Sequence, residues 1–206
     1  MALTNAYCSL ADVKAALRIT DTLDDALLET SINSASRLID NYCNRYFYAG
    51  TSANEIRYYS TNDPYNVYID DLISLTSLDT STTMQNQYDL HWSNSGDFPQ
   101  YELSPKNGLA NGFYSPYTGI KSIGVYLFPF FGETSLIRVT GRFGWSSVPD
   151  AIKQATIIQA SRLFKRLESP LGVAGVSDIG IMRVTRSIDG DVAQLIDPFR
   201  QMRINA

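Results

Sequence analysis

Histidine and cysteine are nearly missing from this sequence: His91 stands alone, and Cys8 and Cys43 are the only thiols. Two cysteines are too few for a disulfide framework, and their spacing is no metal signature. A lone histidine beside Trp92 reads as a packing or surface residue, and no G-x-S-x-G elbow frames a serine nucleophile. Gly172, Gly175 and Gly180 punctuate one segment, but no Gly-Lys-Ser/Thr follows, so they form no phosphate loop. Asp189 with Asp191, and Asp70 with Asp71, are acidic pairs without further ligands at suitable spacing, and they read as surface turns. No catalytic residue, metal site or cofactor is expected.

Long apolar runs are also lacking, and none reaches membrane-spanning length. The opening residues MALTNAYCSL have neither a basic region nor an apolar core of signal-peptide type. The chain is therefore expected to be made and used in the cytosol. Charge is sparse at 18% and unevenly spread. Residues 1–150 carry 9 Lys+Arg against 16 Asp+Glu, whereas residues 151–206 carry 8 against 5. An acidic body argues against tight DNA binding, which needs a concentrated positive surface. The basic end suits docking on something acidic, or else is a solvated face.

What the chain has is aromatic and helical signal. Ser9 and Asp12 resemble a capping box ahead of a short amphipathic helix at Leu10, Val13, Ala16 and Leu17. Thr20-Asp21-Thr22 is a polar break expected to cap the next helix. In that helix Leu28, Ile32, Ala35, Ile39, Tyr42 and Tyr46 recur at spacings of 4 and 3, with Leu27, Leu38 and Cys43 flanking. Ordering it costs about 1–2 kcal/mol per residue in backbone entropy, which one apolar seam does not offset. Its expected partner is a helix at 149–167, opened by Pro149 and Asp150 and closed by Ser169-Pro170. That second helix is apolar on two arcs, as suits a central core helix, or one whose second arc meets another subunit.

Between the helices lies a β-like segment, with 13 tyrosines in the whole chain. Candidate strands are 55–60, 67–69, 73–78, 87–92, 101–103, 122–128 and 135–140, separated by turn clusters. Residues 93–119 read as a long excursion. Tyr58, Tyr59, Tyr65, Tyr68, Tyr88, Tyr101, Tyr114 and Tyr117 suit a sugar- or receptor-binding face, or an interface or core. A further short strand is expected at 181–185. The tail from Asp197 has little to pack on within its own subunit. The expected fold is α+β, an antiparallel helical core interrupted by a β-rich lobe.

The segment YCSLADVKAAL from Tyr7 to Leu17 resembles the start of head-tail connector proteins of tailed bacteriophages. The likeness continues through Asp24-Asp25 and Ile32–Phe47 (INSASRLIDNYCNRYF), then Gly141–Trp145 (GRFGW), Val148-Pro149 and Ser169–Gly172 (SPLG). These stretches cover about half the chain, and their order and spacing carry the resemblance. It implies a helical connector core at 1–49 and 141–206 with a C-terminal arm, and an insertion lobe at 50–140. Small members join the helices with much less, so the lobe is the departure. The same scheme occurs in gene transfer agents.

The function so implied is a non-enzymatic adaptor in the virion neck, assembled in the host cytoplasm. Identical subunits, twelve in the family's usual setting, would form a ring between the portal and a stopper or tail-completion protein. DNA would pass through the lumen without specific binding, and no membrane is involved. The resemblance places portal binding in an arm of Asp197, Pro198, Phe199, Arg200, Gln201, Met202 and Arg203. Subunit contacts are expected at Arg162, Lys165 and Arg166 of the long helix and at Leu171, Val173 and Ile179 beyond it. The alternative is a carbohydrate- or receptor-binding virion protein that uses the tyrosine-rich lobe.

Overall fold

The computed structural model describes all residues except 1, 82, 84–86, 97, 109–114, 131–134, 169–172, 175–181, 184–187 and 202–206. Two compact units emerge among the described residues, one from the stretches before Tyr48 and after Ser147 and one from 48–147. The architecture is α+β, as expected.

The first unit is helical. Helix α1 (Leu10–Leu17) opens on the expected capping box, with Asp12 N–H donating to Ser9 Oγ at 3.1 Å and Ser9 N–H to Asp12 Oδ2 at 2.9 Å. Helix α2 (Asp25–Cys43) buries Leu28, Ile32, Ala35, Ile39 and Cys43 completely, the face set by the 4–3 spacing. Its start differs from expectation. Asp24 is the N-cap and makes no side-chain cap, while Asp21 Oδ1 accepts from Leu23 N–H at 3.1 Å as a local turn. Asn44, left-handed at φ 54°, ends the helix, so Tyr46 falls outside it and lies 58% exposed.

Helix α3 (Asp150–Glu168) packs on α2. Leu28 and Ile32, near the start of α2, share a core with Ala160 and Phe164, near the end of α3, so the two run antiparallel. Thr156 and Gln159 are buried on α3 together with Ile152 and Ala155. Thr156 bonds back to Ile152 O at 2.8 Å, which is how a polar residue sits inside this core. The expected stop at Ser169-Pro170 lies outside the described residues. Helix α4 (Gly190–Ile196) follows, capped by Asp189, and runs into a 3₁₀ turn at Asp197–Phe199.

The second unit is an antiparallel sheet in the order β1-β6-β2-β5-β4, with β3 also on β2. Its strands are β1 (Glu55–Tyr59), β2 (Asn66–Thr80), β3 (Leu90–Trp92), β4 (Tyr101–Ser104), β5 (Tyr117–Ser122) and β6 (Ile137–Phe143). Strand β2 joins two of the expected strands. Register shifts along it let one half pair β5 and the other pair β6 and β3. Two short strands, β7 (Val173–Ala174) and β8 (Met182–Arg183), pair separately.

Three expectations about this region are corrected. Residues 123–128 are not a strand, because Gly124 turns the chain at φ 72° directly after β5. The supposed excursion at 93–119 contains β4 and the start of β5, which pair in register from Tyr101↔Ser122 to Ser104↔Gly119. The strand expected at 135–140 lies further along the chain, as β6, and runs through Gly141 to Phe143.

The GRFGW motif has a packing explanation. A Cβ on Gly141 would come within 2.3 Å of Ser74 O, so only glycine lets β6 lie this close to β2. Gly144 has φ 101°, and a Cβ there would lie 2.0 Å from Tyr48 O. Trp145 then donates its indole N–H to buried Asp71 Oδ2 at 2.8 Å, while Asp71 O accepts from Gly144 N–H at 2.7 Å.

Candidate assembly surfaces

The C-terminal segment lies along the end of α2. Tyr42 on α2 donates its hydroxyl to Asp197 Oδ1 at 2.6 Å, a bond that raises the phenol's pKa. Gln201 N–H donates to Cys43 O at 2.8 Å, and Asn44 Nδ2 to Gln201 O at 3.3 Å. Phe199 meets buried Phe47 edge-on at 5.8 Å, and the Arg200 guanidinium lies 5.4 Å from the Tyr42 ring centre. The expectation that this tail has little to pack on is therefore corrected for Asp197–Gln201. The Asn44 turn opens the end of α2 to polar and aromatic partners, and the 3₁₀ turn delivers them. Met202 and Arg203 lie outside the described residues.

This end of α2 is itself firmly built. Buried Tyr7 donates to Asp40 and accepts from Phe47 N–H at 2.9 Å, while Arg37 pairs with Asp40 at 2.8 Å. Burial pushes the Asp40 carboxyl above its ordinary range, against the opposing bonds from Tyr7 and Arg37. Burial likewise pushes the Cys43 thiol up to about 12, so it stays protonated and unreactive at neutral pH.

Of the candidate subunit contacts, Arg162 forms an ion pair with Asp189, the cap of α4, and approaches Asp191 to 3.8 Å. It thus ties α3 to α4 within one chain, and the D-x-D pair has a structural partner. Lys165 and Arg166 are exposed in the last described turn of α3. Val173 belongs to β7, whereas Leu171 and Ile179 lie outside the described residues.

The tyrosines do not form one face. Tyr59, Tyr101 and Tyr117 are partly buried against the sheet core, and Tyr59 is hydrogen-bonded to Asp70 at 3.0 Å. Tyr58, Tyr65 and Tyr68 are exposed, and Tyr114 lies outside the described residues. His91 meets Asp79 at 2.8 Å, and Asp79 also accepts from Arg138 at 3.1 Å. Burial would raise the Asp79 carboxyl, but the bonds from His91, Arg138 and Ser77 outweigh it and hold it low. This is a cross-strand clamp over β3, β2 and β6. Among the described residues no His/Cys/Asp/Glu group could hold a metal ion.

Residues 7–90 match the family described as phage gp6-like head-tail connector proteins. The resemblance read from the sequence is borne out. The match begins at Tyr7, covers α1 and α2, and continues through β1 and β2 to the start of β3. No curated protein matches the chain. Among solved structures, the fold of this chain matches that of a chain in the neck of an empty gene transfer agent particle computed with C6 symmetry. The TM-score is 0.55 at 13% identity, over 99% of this chain and 94% of that one. The native neck computed with C12 symmetry gives the same values. A chain of the native gene transfer agent virion matches at TM-score 0.51 and 14% identity, with the same coverage. Because 99% of this chain is covered, the β unit has a counterpart in those chains and is part of the shared fold.

Among the described residues no helix is long and apolar enough to cross a membrane. Little in the sequence announces the docked C-terminal segment, since Asp197–Gln201 has no periodicity. The signal within reach was Phe199 in a polar tail, an aromatic that needs an apolar seat.

Proposed function

We propose that this chain is a structural adaptor in the neck of a tailed phage or gene transfer agent particle. Identical copies form a ring, twelvefold as in the family's usual setting, that joins the portal to a stopper or tail-completion protein. DNA passes through its lumen without specific binding, and the role uses no catalytic site and no membrane. The observation that carries this reading is the connector-family match over residues 7–90, on a fold shared along its length with neck chains.

Portal binding is assigned to the Asp197–Arg203 segment. Its described part, Asp197–Gln201, is held against the end of α2. Many modest contacts repeated around a ring give firm attachment through avidity. An acidic body offers few phosphate contacts and so lets DNA slide.

The test is electron microscopy of particles produced with this gene deleted. Filled or leaking heads beside separate, complete tails are the expected outcome. Normal tailed particles that fail to attach to cells would overturn the adaptor reading in favour of a receptor-binding lobe.

A further inference from the structure

Both ends of the described chain are held by helix α2. Residues 2–7 run beside it as a strap. Thr4 N–H donates to Asn33 Oδ1 at 3.2 Å, and Asn33 Nδ2 donates to Ala2 O at 3.3 Å. Arg37 donates to Asn5 O at 2.9 Å, and Tyr7 N–H to Ser36 Oγ at 3.2 Å. Asn33, Ser36, Arg37 and Asp40 recur at helical spacing, so one polar face of α2 grips the backbone of the strap. Ala2, Thr4 and Asn5 are exposed, while Leu3 and Ala6 pack only partly buried on the helical core. A segment with few buried apolar contacts and exposed backbone bonds opens locally at little cost. Within residues 2–7, Tyr7 is the one buried side chain and therefore the anchor.

That anchor rests on Phe47, and so does the C-terminal segment. Phe47 is fully buried. Its N–H donates to the Tyr7 hydroxyl at 2.9 Å, and the two rings meet edge-on, with centroids 5.7 Å apart and planes at 83°. Phe199 meets the Phe47 ring in the same way, at 5.8 Å and 83°. One buried ring is thus shared by Tyr7 of the strap and Phe199 of Asp197–Gln201. Edge-to-face pairs depend on centroid distance and ring angle. In a close-packed interior a ring that turns disturbs its other neighbours.

We infer that the N-terminal strap and the C-terminal segment are coupled through Phe47, each steadying the seat on which the other rests. Loss of Phe199 frees the Phe47 ring to turn, which loosens Tyr7 and with it residues 2–7. Coupling of this kind is reciprocal, so loss of the Tyr7 hydroxyl loosens Asp197–Gln201. Residues that share a contact are those whose effects fail to add. In the proposed neck role, a portal that draws the C-terminal segment from its seat also frees the strap. That consequence alone rests on the portal reading, because every contact in the coupling lies within one chain.

Amide hydrogen exchange, followed residue by residue on the full-length protein, tests the coupling without the portal. Tyr7 N–H reports on the strap, Gln201 N–H on the C-terminal segment, and the amides of α3 on the helical unit as a whole. Phe199→Ala should speed exchange at Tyr7 at least about threefold, and Tyr7→Phe should do the same at Gln201, with α3 unchanged in both. Tyr42→Phe takes away the bond to Asp197 and leaves Phe47 and Phe199 in place. It should speed exchange at Gln201 and, to a smaller extent, at Tyr7. Faster exchange at Gln201 with Tyr7 at its wild-type rate, in either Phe199→Ala or Tyr42→Phe, would overturn the coupling and leave the portal reading standing. Equal acceleration of strap, segment and α3 would overturn it as well, since the helical unit would then open as one body.

Discussion

Ser9 and Asp12 hold each other at the start of α1, and Lys153 reaches the same carboxylate at 3.0 Å. The Ser9 hydroxyl first, then its backbone N–H and Lys153, bring the Asp12 pKa from its ordinary 3.8 down to about 2. A lowered carboxylate adds stability above its unfolded pKa and loses it as pH falls through the folded one. The Asp12 contribution is thus complete above about pH 4 and gone near pH 2. Ser9→Ala should cost about 1 kcal/mol at neutral pH. It should also flatten the fall in stability between those two pH values, as read by urea denaturation across a pH series. Buried Asp40 acts in the opposite sense, since its raised pKa makes the native state hold a proton more readily. The effect of Asp12 must therefore be read from the difference between variant and wild type. An unchanged acid slope in Ser9→Ala would show that Ser9 does not hold the carboxylate.

The glycines just beyond β6 and β5 meet different surroundings, and comparing them separates crowding from backbone strain. Gly144→Ala meets both a left-handed φ and the carbonyl of Tyr48. Gly124→Ala meets a left-handed φ of 72° but nothing within 4 Å. The first should cost at least about 3 kcal/mol and the second about 1 kcal/mol, measured as shifts in the urea midpoint. Equal losses would mean that Tyr48 moves aside. The same contrast explains what was legible in the sequence. Periodicity located α2 and α3, because a buried helix face must repeat every three to four residues. It misplaced a strand at 122–128, where the apolar run is continuous: Phe128 points inward while Val125 and Leu127 face solvent. A run without alternation names no face. The continuity of β2 was hidden for a related reason, since its register shifts interrupt the alternation that marks a single strand. Of the candidate surfaces, Arg162 was legible as charge but not as a partner of Asp189, because the two lie far apart in sequence.

For the molecule as an assembling unit, the docked C-terminal segment decides how its role can be tested. Removing everything from Asp197 onward strips Phe199 from Phe47, Asp197 from Tyr42 and Gln201 from the Cys43 carbonyl. Losing one aromatic contact and several hydrogen bonds should destabilise the helical unit by about 2–4 kcal/mol. That truncation therefore mixes a folding defect with any loss of portal binding. Truncation after Gln201 keeps every one of those contacts. It should leave Tm within about 2 °C of wild type, because a change well under 1 kcal/mol moves Tm by only that much. Paired thermal melts and portal pull-downs on the two truncations resolve the matter. Portal binding lost in the shorter deletion at unchanged Tm would assign recognition to 202–206. Binding retained there, and lost with Phe199→Ala or Arg200→Ala at near-native stability, would assign it to the docked turn. Binding retained in all of these would remove the segment from the portal interface altogether and leave it as the part that closes the end of α2.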